Sequence, residues 1–552
     1  QRNTAVGMSA AICNTTGQSN VAVGYVSMYN NTTGGCNVSM LGLGNNTTGS
    51  GNVGLGWLSL SNNTTCSDNV AVGFRAAQET NSAHGIVAIG ALALCKNTSG
   101  DNNTAVGFCS LVCNTTGFSN VAVGVCALLN NSTGQENTAV GFKAGIATTT
   151  GCGITAVGMC ALHCHTTGGD NNAVGMCSQF STTTGAANNS MGHKSMENNT
   201  TGNSNVAIGE QALRNNTTAC DNTAVGKEAL CGNTTGTNNT ATGFKALKAN
   251  TTGGQNTAVG CGAAFANTEG SSVTAIGRNS LCSNTTACWN VAVGSGAMPT
   301  NITGNRNVGI GHNALSLNTT GSGNTAVGGL NPGTYPVMYA NTTGSHNSAL
   351  GSAALCSNTT GDENVALGYI AAASTTTGTR NVAIGSGAGM DAAGTNNSIA
   401  MGYNVTSIVN AVTFGNSTTD SRIAFGATSI TAPSDMRLKE DIQDDTAGLS
   451  FINDLRPVTY KWRQEKDIPE EMRTHVAGST KRYNNDKVNH GFIAQEVKEA
   501  IDKHPELKDG FSMWTEESNL DGRQRVAEGA LIPMLVKAIQ ELKAEIELLK
   551  NK

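Results

Sequence analysis

The chain has 552 residues and a formal net charge of −5, and only 12% of its residues are charged and 4% are aromatic. About a quarter of the residues of ordinary globular proteins are charged. This composition therefore argues against the roughly three or four conventional domains that the length would suggest. Glycine is frequent (69 residues) but has no three-residue period, and proline is scarce (8 residues), which excludes a collagen. No run of about 20 apolar residues predicts a membrane span, and no signal peptide is visible.

Charge is distributed unevenly along the chain. Residues 1–433 contain 27 charged residues, whereas the much shorter segment 434–552 contains 42. All 17 cysteines lie in the first segment. Neither segment has the basic excess that is typical of nucleic-acid binding, so no nucleic-acid partner is expected.

Internal repeats dominate residues 1–402. The motif Asn-Thr/Val-Ala-Val-Gly recurs almost throughout at a step of 17 residues, from Gly7 to Gly402. One irregular repeat near Gly42 and a six-residue insertion before Gly351 break the step, and the count is 24 repeats. One repeat reads N-[TV]-A-V-G-x-x-A-L-x-x-N-T-T-G-x-x, and we number its positions 1 to 17, so the motif glycine is at position 5.

Two short apolar segments and two turns in 17 residues predict one coil of a β-solenoid, because a helical-hairpin repeat needs about twice that length. In the Asn-Thr-Thr-Gly turn, asparagine bonds to its own backbone and glycine accepts a positive φ. Stacked coils can bury an apolar face that one coil cannot, at about 4.8 Å per coil. We therefore predict a mainly β fold, with a long parallel β-solenoid or β-roll over residues 1–402 and a tapering neck over residues 403–433.

The apolar positions also predict which side chains face inward. Large residues at positions 4 and 9 are expected to fill the coil interior. The small alanines at positions 3 and 8 would then suit a close contact with a neighbouring chain. This interpretation favours a homotrimer of solenoids over a single one.

The repeats Asn-Val-Ala-Val-Gly and Asn-Val-Ala-Ile-Gly resemble those in the head domains of trimeric autotransporter adhesins. The resemblance implies left-handed parallel β-rolls in a homotrimer. The added Asn-Thr-Thr-Gly turn and the longer period depart from that family, so the coil cross-section need not be the same.

Several residues of the repeats suggest a second role. Cys109 and Cys126, like Cys160 and Cys177, are 17 residues apart and predict stacked neighbours, either as disulfides or as small, buried, reduced thiols; the thiols are favoured. His163, Cys164 and His165 follow Cys160 and resemble a metal cluster, but no metal is expected because a strand would point Cys164 away from both histidines. The Asn-Thr-Thr sequences match glycosylation acceptors but are equally what a tight turn requires.

An insertion at residues 329–339 concentrates two prolines and two tyrosines in a repeat region that has few aromatic residues. It predicts a loop that protrudes from one face. Exposed tyrosines on a rigid scaffold often bind sugars or proteins, which makes Tyr335 and Tyr339 candidate binding residues. A plain structural bulge is the alternative.

The composition changes abruptly at Ser434. The segment Ser-Asp-Met-Arg-Leu-Lys-Glu-Asp-Ile at 434–442 begins a charged domain, and Leu-Arg-Pro-Val-Thr-Tyr-Lys-Trp at 455–462 and His-Gly-Phe-Ile-Ala-Gln-Glu-Val at 490–497 follow. The end of the chain predicts a helix over residues 531–550 with apolar residues at coiled-coil spacing. These seam residues are Ile532, Leu535, Ile539, Leu542, Ile546 and Leu549.

These motifs, in this order, resemble the C-terminal intramolecular chaperone of endosialidase-type phage tailspikes and related fibres. The resemblance covers residues 434–552 and implies a small α+β domain that trimerises, helps the upstream β-fibre to fold and then cuts itself off before a serine. Ser434 matches that serine and Lys439 matches the family's catalytic lysine. Asp435 occupies the neighbouring position, and His490 is a candidate for an accessory histidine.

The implied reaction is a single turnover by a Ser-Lys dyad, in which Ser434 attacks the carbonyl of Pro433. A serine hydroxyl needs a base, and a lysine can serve when burial favours its neutral amine. Five residues of regular helix turn through about 500°, so Lys439 needs a bend in the chain or must come from another subunit. The alternative for Ser434 and Asp435 is an N-cap before an amphipathic helix.

The two resemblances together imply a structural trimeric fibre or tailspike shaft for host attachment, in a virion tail and assembled in the host cytoplasm. The expected partners are two further copies, a tail or baseplate protein bound through an N-terminal part that precedes the first repeat, and a glycan or protein receptor. Neither a cofactor nor membrane insertion is expected. A cellular surface adhesin and a polysaccharide-degrading tailspike remain open, although hydrolysis usually needs a pair of carboxylates and the repeats show no recurring pair.

Overall fold

The computed structural model describes residues 2–329, 333–427, 436, 439–470, 472, 474–507, 513–516 and 524–551. The chain divides into two compact units, residues 1–433 and 434–552, called here the solenoid unit and the C-terminal unit. Each is described by itself. Among the described residues, no helix combines the length and the apolarity that crossing a membrane requires.

The solenoid unit is a stack of coils, each of which contributes one short strand to a single long sheet. The first 23 strands, β1–β23 in chain order, are Thr4–Val6, Val21–Val23, Val38–Met40, Val53–Leu55, Val70–Val72, Val87–Ile89, Thr104–Val106, Val121–Val123, Thr138–Val140, Thr155–Val157, Asn172–Val174, Asn189–Met191, Val206–Ile208, Thr223–Val225, Thr240–Thr242, Thr257–Val259, Thr274–Ile276, Val291–Val293, Val308–Ile310, Thr325–Val327, Ser348–Leu350, Val365–Leu367 and Val382–Ile384. Successive strands pair in parallel, as Val121 does with Thr138, so the 17-residue step of the sequence is the register of the sheet. The prediction of a parallel β-solenoid is confirmed.

The strand residues point alternately inward and outward, and this corrects the predicted interior. Each strand covers positions 2 to 4, so position 3 points into the coil and positions 2 and 4 point outward. Ala122 is completely buried, whereas Val121 and Val123 on either side of it are not. Alanines at position 8 and leucines at position 9, such as Ala127 and Leu128, complete the interior. Placing the position 4 residues inside and the alanines outside was therefore wrong, because alternate strand residues face opposite sides of the sheet and the inward position 3 holds a small residue, mostly alanine but serine at Ser39 and Ser190.

Left-handed backbone closes each coil on the side away from the sheet. Cys126 (φ 58°), Leu128 (φ 48°) and Glu136 (φ 59°) stand at positions 7, 9 and 17 of one coil, and the same positions recur in coil after coil. Such a conformation costs a residue other than glycine about 1–2 kcal/mol in isolation, so stacking must compensate for it. Part of the compensation is visible in the hydrogen bonds between coils, such as that from the Cys126 amide to the Phe108 carbonyl (2.9 Å).

Two columns of buried asparagines bind the coils together. At position 1, the Asn20 amide N–H donates to Asn3 Oδ1 (2.8 Å), and Asn20 Nδ2 donates to the Gly34 carbonyl (2.8 Å). At position 12, Asn31 Nδ2 donates to Asn14 Oδ1 (2.8 Å) and also to Gly34 (2.9 Å). Because each amide group satisfies its own turn and the neighbouring coil, the Asn-Thr-Thr-Gly sequence holds the stack together as well as turning the chain.

The regular stack ends in a shorter coil and a hairpin. Strands β24–β28 are Gly389–Met390, Ile399–Tyr403, Thr406–Ser407, Ala411–Asn416 and Asp420–Ala424. Strand β27 pairs in parallel with β25, with Ile399 opposite Val412, so this step is shorter than 17 residues. Strand β28 then returns antiparallel to β27. Phe425 directly follows this hairpin strand.

The C-terminal unit is a small α+β structure built around one core. Its helices α1–α3 are Leu449–Asp454, Ala494–Lys503 and Ile532–Lys550, and its strands β29–β32 are Val458–Tyr460, Asn489–Gly491, Trp514–Glu516 and Gln524–Val526. Short 3₁₀ helices cover Glu465–Asp467, Pro505–Leu507 and Glu528–Leu531. The strands form two antiparallel pairs, β29 with β30 and β31 with β32. Phe451 of α1, Val497 of α2 and Met534 of α3 meet in the core.

Candidate functional site

The structure describes only part of the predicted cleavage site. Pro433, Ser434 and Asp435 lie outside the described residues. Lys439 is exposed, and its amide N–H donates to the Met436 carbonyl (3.1 Å). The described residues 439–448 are not helical, and the first α-helix among the described residues of this unit begins at Leu449. An amphipathic helix that Ser434 and Asp435 would cap is therefore not found in this described segment.

His490 lies in the middle of β30, opposite Thr459 of β29, with its side chain exposed. Beside this strand pair is an open cavity of about 790 Å³, whose lining includes residues of the two motifs noted at 455–462 and 490–497. Trp462 packs edge-on against Tyr460 and Tyr483, with ring centres 5.3 Å apart in each case. Arg482 holds the backbone at this point by donating to the Trp462 carbonyl.

A second histidine of this unit, His504, was not singled out from the sequence. It is 8% exposed, with Nε2 3.0 Å from Asp454 Oδ2 and Nδ1 2.9 Å from Glu506 Oε1, and Phe451 contacts its ring edge-on. Burial alone would lower the pKa of His504, but the hydrogen bonds and charges of the two carboxylates outweigh burial and raise it. The His504 ring therefore connects the end of α1 to the end of α2. The His-Pro-Glu sequence directly after a helix was the feature of the sequence from which this histidine could have been singled out.

Helix α3 packs against the core with one side only. Met534 and Ala538 are buried, and Glu541 accepts a hydrogen bond from the Leu449 amide (2.7 Å), which satisfies the first turn of α1. The six predicted seam residues, by contrast, are all exposed, by 42% to 70% in a single chain. These residues are Ile532, Leu535, Ile539, Leu542, Ile546 and Leu549. The end of the chain thus presents an apolar helical face to solvent, and the seam assignment stays a prediction.

The inserted segment combines buried and exposed parts. Val337 and Met338 are fully buried and occupy coil positions 8 and 9, so the coil resumes there. Tyr335 is 63% exposed and stacks on the half-buried Tyr339, with ring centres 5.4 Å apart. The two candidate binding residues are therefore adjacent, and their role in binding remains a prediction.

The cysteines are not the interior residues that the sequence suggested. All 17 are free thiols, and only Cys66, Cys95 and Cys356 are buried. The pairs at position 7 are only partly buried, and their backbone is left-handed. Burial, together with the neighbouring thiol of the next coil, raises the pKa of Cys109 and of Cys177.

The histidines near Cys164 have separate environments. His163 stacks on Phe180, with ring centres 4.6 Å apart. His165 is completely buried at position 12, where it replaces an asparagine of the column. It lies 3.1 Å from Thr148 Oγ1 and 3.3 Å from Asn171 Nδ2. Burial lowers the pKa of His165 to about 4. Among the described residues, no group of three or more histidine, cysteine or acidic side chains is arranged to hold a metal ion.

Comparison with known proteins gives one match. A family model described as chaperone of endosialidase matches residues 434–505, which include Ser434, Asp435, Lys439, His490 and His504. No curated protein and no solved structure matches the chain. The match implies a chaperone domain of the self-cleaving peptidase type at the C-terminus. Together with the long β-solenoid of 24 coils, it fits a tail fibre with an intramolecular chaperone.

Proposed function

We propose that the chain is a structural shaft of a virion tail fibre or tailspike, and that residues 434–552 are a chaperone that assembles three copies and then removes itself. The family match over residues 434–505 carries the proposal, because the matched segment follows the repeats and the proposed neck in the sequence. In this organisation, residues 1–402 are the shaft, 403–433 the neck, and 531–550 a trimeric coiled coil. The shaft would present Tyr335 and Tyr339 to a receptor on the host surface.

Trimerisation is proposed to begin at α3. Its seam side chains are exposed in one chain, although its opposite side is already used by the core. Alternating isoleucine and leucine at the core positions permit a three-stranded coiled coil, although isoleucine at a with leucine at d by itself favours two strands, so the number of strands rests on the resemblance to a trimerising family. Aligning three chains at one end would give the slow parallel pairing of long β-structures a common register.

Cleavage is proposed to occur between Pro433 and Ser434. Ser434 Oγ attacks the Pro433 carbonyl while its proton passes to the Lys439 amine, and the peptide C–N bond breaks as the Ser434 nitrogen takes up a proton. Water then hydrolyses the resulting ester, which leaves a carboxylate on Pro433 and a free amine on Ser434. Asp435 and His490 are proposed to position the reacting groups.

Assembly is proposed to control this step. A lysine amine acts as a base only when it is neutral, and removal from water favours the neutral form. Lys439 is exposed in a single chain. We therefore expect cleavage only after neighbouring copies cover this lysine, so that the cut marks a completed trimer.

The test is the intact mass of the full-length chain, with its native mass measured in parallel. The wild type should yield fragments 1–433 and 434–552, and Ser434→Ala should stay whole because no oxygen is left to attack. Lys439→Ala should cut slowly or not at all, whereas the matched control Lys487→Ala, at another exposed lysine of the same unit, should cut normally. Ile539→Asp should prevent both assembly and cleavage, because it would bring three carboxylates together in the seam.

Two outcomes would contradict parts of the proposal. An intact, trimeric wild type would leave a folding domain without peptidase activity. A new N-terminus at a residue other than Ser434 would move the nucleophile.

A further inference from the structure

The outward face of the solenoid sheet is unusual in its composition. This strand face consists of positions 2 and 4 of every coil. Position 4 is valine, isoleucine, leucine or methionine in 23 of the 24 coils, and Thr242 is the exception. Position 2 is mostly valine or threonine, and none of the 48 side chains on the face is charged. The face is therefore uncharged and carries an almost unbroken apolar row at position 4, which a soluble single chain rarely presents.

The charges of the solenoid lie on other positions. Lys227 and Glu210, which pair at 2.8 Å across two coils, are both at position 6. Arg214 and Glu197, at position 10, pair in the same way at 2.7 Å. Because charged residues occur on the other exposed parts of the coil, their exclusion from the strand face is specific to that face.

The face is large enough for a stable interface. Three strand residues at about 3.3 Å each make it about 10 Å wide, and 24 coils at about 4.8 Å make it about 115 Å long. The product is about 1,100 Å² per chain, so the three faces of a trimer would together remove about 3,300 Å² from water, within the roughly 2,000–5,000 Å² of obligate interfaces. Position 4 side chains such as Ile208 (42%) and Ile310 (38%) remain substantially exposed in a single chain.

We propose that this strand face is the contact between the copies of the chain. This inference rests on the proposed trimeric shaft. The occupant is the same face of a second and a third copy, because only a surface with the same spacing from coil to coil can match the apolar row of position 4 over the whole length. The inner alanines of position 3 cannot make this contact, because Ala122 and its equivalents are buried inside their own coil.

The test is photo-crosslinking of the full-length chain with p-benzoylphenylalanine in place of Ile310, and separately in place of Ile208, so that the result does not depend on one site. Two matched controls carry the same probe. Ile302 (43% exposed, position 13) and Leu317 (39%, position 11) are equally exposed but lie outside the strand face, Leu317 in the coil of Ile310 and Ile302 in the coil before it. The native mass of each variant is measured before irradiation.

We expect linked dimers and trimers of the chain from the probes at 310 and 208, and at least five times less from those at 302 and 317. A trimeric native mass with linkage from 302 or 317 alone, or with none from 310 and 208, would overturn the assignment of the face but not the shaft. Linkage of 310 to a different protein or to lipid would overturn it as well. A native mass of one chain would instead overturn the proposed trimeric shaft.

Discussion

The buried His165 should make the solenoid unit less stable in acid. In the unfolded chain its pKa has the ordinary value of 6.5, whereas burial in the folded coil lowers it to about 4. Between these two values the unfolded chain binds a proton that the folded chain does not bind. This contribution to stability is therefore fully present above pH 6.5 and is lost as the pH falls towards 4.

The size of the effect follows from the shift. At about 1.36 kcal/mol per pKa unit, the free energy of unfolding of one chain should be about 3 kcal/mol lower below pH 4 than above pH 6.5. Between pH 7 and pH 5, where the shift is only partly expressed, the loss should be about 2 kcal/mol per chain. Asn171 Nδ2 faces the Nε2 atom, so a proton added there would meet a donor instead of an acceptor.

The assay is guanidinium unfolding of the full-length chain, followed by circular dichroism at pH 7 and pH 5. His165→Asn should keep the buried polar contacts of position 12 and remove the titration, so its transition should shift less with pH than that of the wild type. His312→Asn, at an exposed histidine, is the control and should behave like the wild type. The comparison between variants cancels the acid effects of all other groups.

Equal pH shifts in the wild type and in His165→Asn would refute this reasoning. So would a wild type that is more stable at pH 5 than His165→Asn when the two match at pH 7. Either result would mean that the buried imidazole accepts a proton in the folded coil.

Two further changes test the stack. Thr80 interrupts the position 12 column and leaves Asn63 Oδ1 without a donor; Thr80→Asn should restore that bond and stabilise the protein by about 1 kcal/mol, raising its guanidinium midpoint. Gly243→Ala should destabilise by about 2 kcal/mol or more, because φ is +134° there and a Cβ would lie 2.6 Å from the Gly260 carbonyl oxygen. Gly169→Ala, without either constraint, should melt within about 2 °C of the wild type by calorimetry.

The sequence was sufficient for the architecture because the same interactions recur in every coil. A step of 17 residues and an Asn-Thr-Thr-Gly turn leave few alternatives to a stack of parallel coils, and the pairing of Val121 with Thr138 has that register. In the solenoid, local pattern and long-range packing agree.

The orientation of the strand residues could not be obtained from residue size. Large apolar residues are usually inside, but a three-residue strand has only one inward residue. At that strand position the coil holds a small side chain, such as the methyl group of Ala122. The left-handed backbone at Leu128 was equally unpredictable, because leucine rarely adopts it without the support of neighbouring coils.

The candidate site was predicted in part. The assignment of Ser434 and Lys439 as a dyad came from the resemblance to a known family. In the structure, the Lys439 side chain is exposed. His504 was missed because its two acidic partners come from different elements, Asp454 at the end of α1 and Glu506 beyond α2. Contacts between elements distant in sequence cannot be inferred from a local motif.

The six-residue insertion before Met338 has a consequence for how such a protein can change over generations. The strands on either side still pair, Val327 with Leu350, so extra residues at this corner leave both asparagine columns aligned. A gain or loss of one whole repeat would equally preserve them, whereas a gain of a few residues elsewhere would displace every later asparagine. Recombination between near-identical repeats in the gene can therefore alter the length of the stack in whole coils, while this corner accepts new sequence one residue at a time.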